Sequence, residues 1–139
     1  MIKDDCIFCK IANGEIPSYS IFEDDNFKVI LDIEPSSKGH SLIIPKAHAD
    51  NLFELDNNVA EKALIVAKKA AAGLKKTLKC PGINILQNNG AAAGQTVNHY
   101  HIHIIPRYDN DNVNISWMHE TFNKDTADAF VNDVKSNID

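Results

Sequence analysis

Three histidines alternate with aromatic and apolar side chains in the segment His99-Tyr100-His101-Ile102-His103-Ile104-Ile105. In a β-strand successive side chains point to opposite faces of the sheet. The pattern therefore predicts a strand over 98–105, ended by Pro106, with the three histidines on one face and a core behind the other. A polar strand face would use Thr, Ser or Lys as readily as His, so the alternation indicates a site.

The rest of the chain predicts an α+β fold, a five-stranded antiparallel sheet with one long helix and short flanking helices. Alternating or β-rich runs bounded by turn residues predict four further strands, over 19–23, 27–31, 40–44 and 83–86. The long helix is expected over 56–78, capped by Asp56 or Asn57. A short helix over 6–12 precedes the sheet, and a weaker helical pattern lies at 127–134 in the tail. Short turns between most strands argue against repeated βαβ units.

The long helix carries an unusually wide apolar band. Its members are Val59, Ala63, Leu64, Ile65, Val66, Ala67, Ala70, Ala71 and Leu74. Such a band means that the helix is covered on more than one side. Deep burial within one chain and a homodimer interface explain it equally well.

Composition places the chain among ordinary small globular domains, with 139 residues of which 44% are hydrophobic and 24% charged. We expect one domain over 1–139. The net charge of -5 argues against general binding to nucleic acid backbone. Apolar stretches such as 63–67 fall far short of the roughly 20 residues of a membrane span. The first residues lack the apolar core of a signal peptide, so a cytoplasmic location without membrane contact is expected.

Two cysteines form a C-x-x-C pair, Cys6 and Cys9, while Cys80 stands alone. The pair has three interpretations: half of a metal site, a redox pair or chance. A redox pair of the thioredoxin type would follow a buried strand, and none is predicted before Cys6. The position of the pair favours a metal site that needs two more ligands.

The alternating histidines support two chemistries. They can bind a metal from one sheet face, or one imidazole can act as a nucleophile while its neighbours hold a phosphate. Amide, hydroxyl and backbone donors stand just upstream, at Asn88, Gly94, Gln95 and Thr96. No cluster of acidic residues for a hard metal accompanies them, so the nucleophile is favoured.

Four segments together resemble the histidine triad (HIT) family, most closely its small Hint-like proteins and their microbial single-domain relatives with a C-x-x-C zinc site. They are Gly39-His40-Ser41-Leu42-Ile43-Ile44-Pro45, 88–90, Gly94-Gln95-Thr96-Val97 and the histidine strand. The resemblance covers about 6–107 and leaves 108–139 as an extension. It implies the same HIT fold and a homodimer.

The resemblance implies a nucleotide hydrolase. His101 would attack the α-phosphorus, forming a covalent nucleotidyl-histidine that water converts to a nucleoside monophosphate. His103, Gln95 and Thr96 complete the implied catalytic set. The implied nucleotide contacts are Asp32 for the ribose hydroxyls, with Asn88, His40, Gly94, Leu31, Ile33 and Phe8.

The resemblance also implies one structural zinc per chain. Its ligands would be Cys6, Cys9, His48 and His99, a set suited to tetrahedral Zn²⁺. The closed site would tie the N-terminal helix to the sheet and leave no position open for substrate.

The implied substrate is a phosphoramidate of adenosine or another purine nucleotide, or a related conjugate. Dinucleoside polyphosphate hydrolysis is the first alternative, and a nucleotide-binding or interaction module with little turnover is the second. A purely metal-binding domain is a third. The loop 89–93 and the stretch 108–117 depart most from the family pattern, and they leave the leaving group open.

Overall fold

The computed structural model describes residues 2–139 as a five-stranded antiparallel sheet with three helices. The strands are β1 (Ser20–Glu23), β2 (Phe27–Leu31), β3 (Ser41–Pro45), β4 (Gly82–Gln87) and β5 (Ile102–Arg107). Their order across the sheet is β1-β2-β3-β5-β4, and every neighbouring pair is antiparallel. The predicted fold class is confirmed.

The helices are α1 (Ile7–Ala12), α2 (Asn57–Leu78) and α3 (Lys124–Ser136). Asp56 caps α2, since its carboxylate accepts the backbone N–H of Asn58 at 2.8 Å. Helix α2 ends at Lys79, which has a left-handed backbone with φ 52°. The three predicted helical segments are therefore confirmed.

The sheet separates two apolar clusters because side chains alternate along β2 and β3. Phe27, Val29 and Ile43 pack with the buried face of α2. Ile30, Leu42 and Ile44 point the other way and pack with α1. The α1 side is where the histidines lie, so the helix that carries Cys6 and Cys9 is placed beside them.

The prediction for the histidine strand was wrong at both ends. Strand β5 begins only at Ile102, so His99 and His101 lie in the segment that leads into it. It also continues through Pro106, which pairs with Ile83 of β4. Pairing of β5 with β3 ends at Ile104, so the missing N–H of Pro106 faces no strand. Its carbonyl accepts the Ser37 hydroxyl at 2.6 Å.

Part of the wide apolar band of α2 remains on the surface. Ala63, Val66 and Ala67 are buried, whereas Leu64 is 70% exposed and Ile65 64% exposed. Burial within the chain therefore explains only one side of the band. No helix within residues 2–139 is both long and apolar enough to cross a bilayer.

Candidate functional site

A cavity of about 620 Å³ opens on the α1 side of the sheet. Its apolar part is lined by residues of α1, by the segment before β1 and by the end of β2. Its polar part is lined by Thr96, His101 and His103, with Asp32 also on the wall. A volume of this size holds one small ligand, and the few polar groups would orient it.

His101 has one ring nitrogen fixed and the other free. Its Nδ1 lies 2.6 Å from the backbone carbonyl of His99, which can only accept, so Nδ1 carries the proton. The Nε2 of neutral His101 therefore has a lone pair. The ring is buried and stands perpendicular to Phe8, with centroids 5.0 Å apart. A neutral, oriented imidazole with a free lone pair is the requirement for a nucleophile.

A chain of hydrogen bonds sets the proton on His103. The backbone N–H of Ser36 donates to His40 Nδ1 at 3.0 Å, so His40 carries its proton on Nε2. That Nε2–H donates to His103 Nδ1 at 2.9 Å. Neutral His103 therefore has its proton on Nε2 and is a hydrogen-bond donor in the cavity wall.

Burial keeps these imidazoles neutral near neutral pH. Desolvation lowers the pKa of His103 to about 4, with the neighbouring His101 and His40 adding to the effect. Desolvation also lowers the pKa of His101 and of His40 below 6.5, against the opposing effect of Asp32. Asp32 Oδ2 lies 3.6 Å from His40 Nε2, and with His40 neutral the two are not an ion pair.

A second cluster lies next to the first, formed by Cys6, Cys9, His48 and His99. His99 donates Nε2–H to the Pro45 carbonyl at 2.9 Å. The Nε2–H of His48 donates a hydrogen bond to the carboxylate of Asp50 at 2.7 Å. Both rings therefore present an Nδ1 lone pair, and these two nitrogens are only 3.2 Å apart.

The donor set of this cluster fits a metal ion. Cys6 Sγ is 3.3 Å and Cys9 Sγ 3.5 Å from His99 Nδ1, and Cys9 Sγ is 3.4 Å from His48 Nδ1. Two facing lone pairs repel each other unless a cation lies between them. Two thiolates and two imidazoles are the ligands that tetrahedral Zn²⁺ prefers.

Asp32, His40 and His103 also bring three potential ligand atoms together. The hydrogen bond from Ser36 excludes a metal there, because it leaves the Nε2 of neutral His40 protonated. The two histidine groups therefore have separate tasks, and a purely metal-binding domain that uses all the histidines is not favoured.

The model of the HIT domain matches residues 13–110. The chain belongs to the HIT family. It is 43% identical over 104 residues to the adenosine 5'-monophosphoramidase HNT1 of Saccharomyces cerevisiae, covering 75% of this chain and 63% of that protein. It is 44% identical over 110 residues to the adenylylsulfatase HINT3 of Arabidopsis thaliana, covering 79% of this chain and 56% of that protein.

Solved HIT structures share the fold. A Streptococcus mutans protein superposes with a TM-score of 0.94 at 36% identity, covering 99% of this chain and 87% of the other. A Zn-bound histidine triad family protein from Mycobacterium smegmatis superposes with a TM-score of 0.74 at 33% identity, covering 96% and 98%. These matches confirm the HIT-like fold.

The structure of this HIT protein brings most of the predicted catalytic and nucleotide-contact residues to one cavity. Those that line it are Phe8, Leu31, Asp32, Ile33, Thr96, His101 and His103. The other four predicted residues, His40, Asn88, Gly94 and Gln95, lie outside the lining set. His40 acts on the cavity through His103.

The side chain of Gln95 hydrogen-bonds to backbone groups in and around the loop that precedes the histidines. Its side-chain oxygen accepts the N–H of Gly90 at 2.8 Å. Its amide donates both protons to backbone, to the carbonyls of Asp50 at 2.6 Å and Val97 at 3.0 Å. A phosphate contact from this amide therefore requires one of these bonds to open.

Sequence reasoning missed the segment 16–19, where Ile16, Pro17, Ser18 and Tyr19 all line the cavity. The segment connects α1 to β1 and has no periodic pattern. Pro17, which follows the turn at Gly14, was the available signal that this connection has a fixed shape.

Proposed function

We propose that this protein is a hydrolase that releases a nucleoside monophosphate, AMP in the first instance, from nucleotide phosphoramidates and related conjugates. The observation that carries the proposal is the free Nε2 lone pair of His101, fixed by the 2.6 Å bond of Nδ1 to the His99 carbonyl. The names of the yeast and Arabidopsis relatives support an adenosine nucleotide as the substrate.

The first step forms a bond between His101 Nε2 and the α-phosphorus and breaks the bond from phosphorus to the leaving nitrogen. The leaving nitrogen keeps the electron pair and takes up a proton from solvent. His101 then carries a positive charge, which the His99 carbonyl stabilises through Nδ1–H. In the second step water attacks phosphorus, its proton passes to solvent, and neutral His101 is released with AMP.

The cavity wall supplies groups for each part of the nucleotide. The carboxylate of Asp32 uses Oδ1 to accept the Glu34 N–H at 2.9 Å, so Oδ2 remains for the ribose hydroxyls. The apolar wall, with Phe8, Leu31 and Ile33, is suited to a nucleobase. His103 Nε2–H and the exposed Thr96 are suited to phosphate oxygens and the leaving atom.

Residues outside the lining set act through the loops. Gln95 holds the loop of Gly94 and Asn88 in place, and Asn88 Nδ2 lies 3.6 Å from where a Cβ on Gly94 would stand. We propose that these residues shape the phosphate end of the cavity, with Asn88 as a direct contact.

The Cys6, Cys9, His48 and His99 cluster is proposed as a structural zinc site. Bound Zn²⁺ would be fully coordinated by the four side chains and would supply no open position for chemistry. The Zn-bound mycobacterial HIT structure supports this proposal. The cluster joins α1 to the segment that carries the nucleophile.

We further propose a cytoplasmic homodimer in which residues 1–139 form one HIT domain, with a motif-matching core over 6–107. The exposed Leu64 and Ile65 on α2 and the 44% exposed Ile85 on edge strand β4 support a self-association surface. Light scattering at micromolar concentration should show a dimer that Leu64→Glu converts to monomers; a monomeric wild type would contradict the proposal.

The test of the activity is incubation of the purified protein with adenosine 5'-phosphoramidate and, separately, with a dinucleoside polyphosphate. We expect AMP from the phosphoramidate. Rapid denaturation at alkaline pH, which preserves the acid-labile bond between phosphorus and imidazole, should show one nucleotidyl group on His101. Release of AMP from the polyphosphate alone would favour the dinucleoside polyphosphate hydrolase, and release from neither would favour a binding module.

A further inference from the structure

Within residues 2–139, one buried polar side-chain atom lacks a hydrogen-bond partner, and it is the hydroxyl oxygen of Ser18. Buried hydroxyls in folded proteins almost always find a partner, because leaving one unpaired is costly. The hydroxyl of the exposed Ser20, two residues further on, donates to the Phe22 carbonyl at 3.3 Å.

Ser18 lies at the wall of the nucleotide cavity. The N–H of Leu31 donates to the Tyr19 carbonyl at 2.9 Å, which extends the antiparallel pairing of β1 and β2 by one residue. Ser18 is therefore placed across from Asp32, at the boundary between the carboxylate and the apolar wall.

Several apolar residues share the cavity wall with Ser18. Ile16 and Pro17 precede it in the sequence, and these two residues line the same cavity as Phe8 and Ile11 of α1. An apolar wall packs against the faces of a nucleobase but makes no hydrogen bond to the polar groups on its edge. A single unpaired hydroxyl in such a wall provides one hydrogen bond that a suitable edge must complete.

We propose that Ser18 is a specificity-determining residue whose hydroxyl hydrogen-bonds one polar group on the edge of the purine. This inference rests on the proposed function, because it assumes that a nucleotide occupies the cavity. The ligand class is a purine nucleoside monophosphate or conjugate. In the free protein the hydroxyl oxygen is buried and unpaired, and a rotation of the Ser18 side chain about χ1 turns it toward the bound base, which supplies its partner.

The test measures binding of AMP and of four analogues by calorimetry, with wild type, Ser18→Ala and the matched control Ser20→Ala. The analogues are 1-deaza-, 3-deaza- and 7-deaza-AMP and the monophosphate of purine riboside, each lacking one edge group. In wild type one analogue should bind about fivefold more weakly than AMP. Ser18→Ala should bind AMP about fivefold more weakly and lose that discrimination, whereas Ser20→Ala should match wild type.

Thermal unfolding of the ligand-free proteins gives a second readout. Because Ser18→Ala removes an unpaired hydroxyl, its Tm should not fall while its affinity for AMP does. Equal discrimination among the base analogues in wild type and Ser18→Ala would overturn the inference. So would the absence of AMP binding to wild type.

The same experiment separates this inference from the proposed function. If AMP binds with the Ser18-dependent pattern but no conjugate is hydrolysed, the inference stands and the hydrolase proposal fails. If AMP is released from the phosphoramidate and Ser18→Ala leaves affinity and discrimination unchanged, the hydrolase proposal stands and the inference fails.

Discussion

Two groups of histidines lie side by side in this molecule and differ in the direction of their hydrogen bonds. In the first, the Nε2–H of His48 donates to Asp50 and the Nε2–H of His99 donates to the Pro45 carbonyl. The two Nδ1 lone pairs therefore face each other, 3.2 Å apart. In the second, donors and acceptors alternate from Ser36 through His40 to His103. The first arrangement is suited to a cation, and the second is complete without one.

The distances alone do not reveal this difference. Both groups bring three or more potential ligand atoms within 4.8 Å of one another. What separates them is the hydrogen bonding of the rings. In the first group each Nε2–H donates to a carbonyl or a carboxylate. In the second group His40 accepts a backbone N–H at Nδ1 and donates Nε2–H to His103. His99 joins the two groups, because its ring belongs to the first and its carbonyl orients His101.

The largest expected effect comes from removing the nucleophile. His101→Ala should lower AMP release at least about 1000-fold, because no other group in the cavity has a free imidazole lone pair at this position. Zinc content and Tm should stay close to wild type. The control is His119→Ala, in the exposed tail; turnover by His101→Ala equal to that by this control would contradict the assignment.

Removing one ligand of the first group should mainly affect stability. Cys9→Ala leaves three ligands in a buried site and should lower the free energy of unfolding by about 3 kcal/mol. Elemental analysis of wild type, purified without added zinc, should give about one Zn per chain. Cys80→Ala, which removes a buried thiol outside the cluster, is the control. Full retention of zinc by the double variant Cys6→Ala plus Cys9→Ala would sink the site.

Breaking the second group should affect turnover and not metal content. His40→Phe keeps an aromatic ring but removes the Nε2–H that fixes the proton on His103. We expect kcat to fall about 30-fold with one Zn per chain unchanged. If wild type held two metal ions per chain and this variant one, the distinction between the two groups would be wrong.

The alternating histidines predicted a strand that belongs to the sheet, and two of them, His101 and His103, line the cavity, but the alternation did not predict where the strand begins. His99 lies outside the sheet because the backbone groups near it bond to partners outside the strands. Its carbonyl accepts the Nδ1–H of His101, and the Tyr100 N–H donates to the Ala49 carbonyl. These partners are distant loops or a side chain, and alternation persists in any extended segment. The pattern is therefore the same inside and outside the strand.

The resemblance supplied the four members of the metal cluster, which the fold then brought together across 93 residues of chain. It did not supply the directions of the hydrogen bonds. Those depend on the Pro45 carbonyl, whose role as an acceptor no motif shows, and on Asp50 and Ser36, which belong to none of the four segments. Ser18 was missed for a related reason, since a serine before an edge strand is unremarkable until its hydroxyl is found without a partner.

The smallest expected effect concerns the carboxylate that orients His48. Asp50→Asn replaces an acceptor by an amide that can also present N–H₂, which weakens the preference for a free Nδ1 lone pair on His48. Zinc affinity, measured by competition with a chromogenic chelator, should fall about tenfold. Glu54→Gln is the control, because its carboxylate accepts only the Asp50 N–H. Equal affinities in both variants would show that the facing lone pairs do not depend on Asp50, and the first group would then owe its metal preference to the thiolates alone.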